Sequence, residues 1–68
     1  MNTPESIRSE TVSFVATMLL DGGTLPVPIT VEDAKYSMDN WDAEVIDYPE
    51  GMTPELLTEV WNDLIWKF

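Results

Sequence analysis

Thr53-Pro54-Glu55-Leu56-Leu57-Thr58-Glu59-Val60-Trp61-Asn62-Asp63-Leu64-Ile65-Trp66-Lys67-Phe68 is the stretch that decides the fold. Thr caps helices well, Pro fits the first helical position, and Glu favours the positive end of the helix dipole. Leu57, Val60, Trp61, Leu64, Ile65 and Phe68 then recur at spacings of three, one, three, one and three. That is the period of an amphipathic helix, predicted over residues 54–68. At roughly 100° per residue, Leu57, Trp61, Leu64 and Phe68 share a narrow arc. Glu55 and Glu59 lie opposite, with Asp63 at the flank. Trp66 falls about 180° from Leu57, in the middle of the acidic side. Two readings of Trp66 stand side by side: an interface anchor, or a ring folded back onto the other helices.

The same start signal occurs at Thr3-Pro4-Glu5. Ile7, Thr11, Phe14, Val15 and Met18 follow at helical spacing, and Gly22-Gly23 supplies a stop. A first helix is predicted over about 4–20, with strand as the alternative where Ser13, Phe14, Val15 and Thr17 lower its helix propensity. Thr24 to Ile29 reads as an extended connector, since Pro26 and Pro28 bar it from the centre of a sheet. Thr30 and Asp33 approximate a capping box, flanked by a weak hydrophobic staple of Ile29 and Ala34. A second helix then runs to about 39, with a narrow apolar stripe of Val31, Ala34, Lys35 and Met38. Residues 42–48 partly alternate, and Pro49-Glu50-Gly51 reads as a turn. The expected fold is mainly α, a single three-helix domain over 1–68, in which residues 25–29 and 43–48 are candidates for a short two-stranded β element.

Charge is the other dominant feature. Thirteen carboxylates face three basic residues, Arg8, Lys35 and Lys67, giving a net charge of −10 on 68 residues. Solubility alone asks for about 2–8 net charges on a small domain. The excess costs folding free energy through self-repulsion, so its benefit is expected in a partner with a positive surface. High charge favours disorder, but a hydrophobic content of 44% in periodic arrangement, with three Trp, argues for a folded chain. A domain of this size has a small core, and oligomerisation is a common remedy. A homodimer is compatible with the sequence and not demanded by it.

The residue inventory excludes many functions. There is no Cys and no His, which removes disulfides, the usual zinc ligands and the commonest general base. No glycine-rich phosphate loop is present, and a ligand pocket of about 300–1,000 Å³ is hard to hollow from so small a core. No catalysis and no cofactor are expected. The acidic run from Asp39 to Glu50 invites comparison with a calcium loop, which wants oxygen ligands at positions 1, 3 and 5, Gly at 6 and Glu at 12. From Asp39, positions 3, 5 and 6 are Trp41, Ala43 and Glu44, so beyond Asp39 itself only Glu50 at position 12 fits. No tuned metal site is expected. Phosphates and anionic membranes would both repel the chain. Neither a signal peptide nor a spanning segment is visible, and the cytoplasm is the expected location.

What remains is a protein-binding surface. The candidate partner-binding residues are Glu32, Asp33, Asp39, Asp42, Glu44, Asp47, Glu50, Glu55, Glu59, Asp63 and Trp66. Trp41 is expected in the core, whereas Tyr36 is assigned to neither core nor surface. In size, charge and lack of catalytic residue types the chain resembles the small acidic inhibitors that phages and mobile elements deploy against restriction, CRISPR or polymerase machinery. The resemblance is compositional and assigns no residue a role. It implies a nucleic-acid mimic that occupies a basic groove of a nucleic-acid-binding protein. A first alternative is an acidic interaction module that docks through the apolar face of its last helix into a partner's groove. A second is an antitoxin or immunity protein for a basic toxin.

Overall fold

The computed structural model describes residues 3–21, 25–42 and 46–67. It contains three α-helices, α1 (Pro4–Leu20), α2 (Val31–Asn40) and α3 (Pro54–Leu64), and a 3₁₀ turn at Ile65–Lys67. Each helix starts where side-chain chemistry says it should. Thr3, Thr30 and Thr53 each accept a hydrogen bond from a backbone N–H three residues on. At α2 the capping box is complete: Asp33 Oδ2 accepts from the Thr30 N–H at 3.0 Å, and Thr30 Oγ1 accepts from the Asp33 N–H at 3.1 Å.

The amphipathic α3 is the centre of the molecule. The backbones of α1 and α2 both come close to α3 and not to each other. Leu57, Val60, Trp61 and Leu64 are buried, together with Val15 from α1, Ala34 from α2 and Met52 from the preceding turn. Fully burying one such aliphatic side chain contributes roughly 1.5–3 kcal/mol. Thr11 is fully buried as well, and its hydroxyl donates to the Ile7 carbonyl at 2.7 Å, so no polar atom is stranded. Ser13 and Thr17 do not break α1 into a strand. The Thr17 hydroxyl donates to the Ser13 carbonyl, within the helix.

The turn before α3 depends on Gly51, whose φ of +89° is a conformation that side chains oppose. A Cβ there would also lie 2.9 Å from Ile7 Cδ1. The turn, closed by a Met52 N–H to Pro49 carbonyl bond of 3.2 Å, delivers Met52 to the core and Thr53 to its capping position.

The expected β element does not form: among the described residues there are no strands. Residues 25–29 lie extended, but their polar groups go to α3. Asn62 Nδ2 donates to the Ile29 carbonyl at 2.9 Å, and Asn62 Oδ1 accepts from the Ile29 N–H at 2.8 Å. Trp61 Nε1 donates to the Val27 carbonyl at 2.7 Å. A helix side chain thus takes the place of a neighbouring strand. Residues 46–48 are irregular, and 43–45 lie outside the described residues.

One further boundary differs from expectation. The last helix is α-helical only to Leu64, after which the backbone tightens into the 3₁₀ turn; Phe68 is outside the described residues. The first helix ends at Leu20, as expected, with Asp21 as its C-cap; Gly22-Gly23 lie outside the described residues. No helix of the described residues is long and apolar enough to cross a membrane.

Candidate functional site

Carboxylates spread over all three α-helices and the segments beside them. Glu5 and Glu10 lie on α1 and Asp21 caps it. Glu32, Asp33 and Asp39 lie on α2, with Asp42 just after it. Asp47 and Glu50 lie before and in the turn, and Glu55, Glu59 and Asp63 lie on α3. All twelve of these described acids are exposed. Glu44 lies outside the described residues. No group of three or more carboxylates among the described residues converges closely enough to hold a metal ion.

The few cations are unevenly shared. Arg8 pairs with Glu59 at 3.2 Å, which joins the outer sides of α1 and α3. Lys67 pairs with Asp63 at 3.7 Å. Both pairs are largely exposed, and such pairs contribute about 0.2–1 kcal/mol. Two of the three α3 acids named from the sequence therefore already have a basic partner. Asp33 is committed to its cap through one oxygen, but its side chain remains at the surface.

Trp66 is 84% exposed. It sits on the 3₁₀ turn, where the α-helical wheel that placed it among the acids no longer applies. The folded-back alternative is therefore overturned. Trp41 is half-buried against the core, packed edge-on to Phe14 with ring centroids 5.6 Å apart and tilted against Tyr48 at 5.9 Å. Tyr36 is exposed.

The structure also brings together residues that the sequence reading passed over. Glu10, Ser13, Phe14, Thr17 and Met18 form one face of α1, continued by its C-cap Asp21. Across from them stand Ile46, Asp47, Tyr48, Pro49 and Glu50, and the open groove between the two walls measures about 700 Å³. Glu10 and Asp21 were not among the candidate binding residues. The signal that finds them is their spacing: 10, 13, 14, 17, 18 and 21 is itself a helical stripe, acidic at both ends with Phe14 and Met18 between. A second, more apolar cleft of about 460 Å³ lies beneath the connector, bounded by Met18, Leu25, Val27, Trp41 and Trp61 among others. Both are surface clefts at the edge of a small core, which is how so short a chain accommodates them.

A scan against protein-family models finds no match, and neither does a search of curated proteins or of solved structures.

Proposed function

We propose that this chain is an acidic decoy, a nucleic-acid mimic that occupies the basic groove of a nucleic-acid-binding protein or complex. The observation that carries this reading is the exposure of all twelve described carboxylates, on every helix, against two ion pairs. A field of one sign over a whole surface steers a positively charged partner into contact, and charge-assisted hydrogen bonds to Lys and Arg then hold it. Mimicry is a property of the surface and not of one helix: acids four apart on a helix advance about 6 Å, whereas phosphates advance about 3.4 Å along a strand. Exposed Trp66 adds an anchor that can be desolvated on binding. The compositional likeness to anti-restriction and anti-CRISPR inhibitors of phages and mobile elements supports the same reading.

The alternative of docking through the apolar face of the last helix finds less support. Leu57, Val60, Trp61 and Leu64 form the protein's own core, so that face is not free to enter a groove. An antitoxin or immunity role would share the decoy's electrostatics and differ in the partner's identity.

The test is capture of partners from bacterial lysate on the tagged protein, with and without excess duplex DNA, identified by mass spectrometry. The expected result is a nuclease, polymerase or nucleoprotein complex released by DNA and by raised salt. A basic toxin would instead establish the immunity reading, and a partner indifferent to DNA and salt would overturn the decoy.

A further inference from the structure

We infer that the groove between α1 and residues 46–50 receives an arginine side chain from a basic loop of the partner protein. This inference rests on the decoy reading and narrows it to one place on the surface. The groove combines three properties. It is concave, with about 700 Å³ of open space. Glu10, Asp21, Asp47 and Glu50 stand along its walls, and among the described residues none of them is in an ion pair. Half-buried Phe14 and Tyr48 line it between those acids, and Trp41 packs against both rings.

That combination selects the occupant. The aliphatic stem of a long basic side chain covers apolar surface while its charged end meets carboxylates. A guanidinium also stacks on aromatic rings and bonds carboxylates through a planar fork, which an ammonium cannot do. A small metal ion would gain nothing from the aromatic lining, and the four acids do not converge on one point. A second copy of the chain is a poor occupant as well. It carries the same charge of −10, and two of its three basic residues are engaged at Glu59 and Asp63.

The experiment is a titration of the ¹⁵N-labelled chain at low salt with end-capped tri-arginine, followed by amide shifts, with tri-lysine in parallel. The largest shifts are expected at residues 10–21 and 46–50, with tri-arginine binding more tightly than tri-lysine. Glu10→Gln with Asp47→Asn should weaken tri-arginine binding about tenfold, the loss of a charge-assisted hydrogen bond. The charge-matched control, Glu32→Gln with Asp39→Asn, should weaken it less than about threefold, since exposed acids away from the bound cation act only through the screened field. Both pairs are exposed, and the dispersion of the amide spectrum reports whether each variant is folded. Equal weakening by the two pairs, or shifts centred on α2 and α3, would overturn the groove while leaving a diffuse decoy standing. The lysate experiment tests the decoy independently, so the two failures can be told apart.

Discussion

Asn62 shows how much a single side chain does in a domain this small. Its amide satisfies both backbone groups of Ile29, 33 residues away in sequence, and so fixes where the connector enters α2. Truncation would leave a half-buried N–H and C=O without partners. Asn62→Ala is therefore expected to cost about 1–3 kcal/mol, measurable as a lower midpoint in urea with little change in slope. For a domain of this size each kcal/mol corresponds to roughly 4–8 °C in melting temperature. Trp61 anchors the same connector two residues earlier, through Val27, while its ring fills the core. Gly51 is equally constrained for a different reason: its positive φ and the proximity of Ile7 leave no room for any other residue without movement.

At the scale of elements, the helices are set by their caps. Thr30 both receives the Asp33 N–H and starts the helix that carries Ala34 into the core. Thr30→Ala should cost about 1 kcal/mol and show first as faster amide exchange in α2, the shortest helix, before α1 or α3 is affected. Caps are also what the sequence makes legible. Thr3-Pro4-Glu5, Thr30 to Asp33 and Thr53-Pro54-Glu55 act over three residues, so their chemistry is complete within a short window, and the helix starts at 4, 31 and 54 follow from it. The β element fails for the opposite reason. Whether residues 25–29 pair as a strand depends on where their N–H and C=O groups find partners, and those partners are side chains of α3. The apolar stripe of α3 was readable as a core face, but nothing local marked Asn62 as a surrogate for a strand. The candidate site divides in the same way. Exposure of the acids follows from their charge, whereas the meeting of Glu10 and Asp21 with Asp47 and Glu50 follows only from how the chain turns back beside α1.

For the molecule as a whole, the relevant lengths are its size and the reach of its charges. The longest dimension is 31 Å, and the screening length is about 30 Å in 0.01 M salt and about 8 Å at 0.15 M. At low salt, then, every carboxylate acts on every other. Raising sodium chloride from 0.01 to 0.15 M should raise the melting temperature of the free protein, as scanning calorimetry would record. Under the proposed decoy function, the same salt should weaken association with a basic partner. A fall in melting temperature over that range would mean that the Arg8–Glu59 and Lys67–Asp63 pairs outweigh the repulsion among the remaining acids.

The central place of α3 has a further bearing on how the chain comes into being. Of the three helices it leaves the ribosome last, yet the backbones of α1 and α2 both pack on α3 and not on each other. At roughly 5–20 residues per second, the interval between the emergence of α2 and that of α3 is on the order of one to five seconds. Through that interval α1 and α2 lack the helix that supplies most of the buried apolar side chains. Dense like charge keeps such a chain soluble and apart from its neighbours, so the acidity that suits the finished surface also protects the polypeptide before it has one.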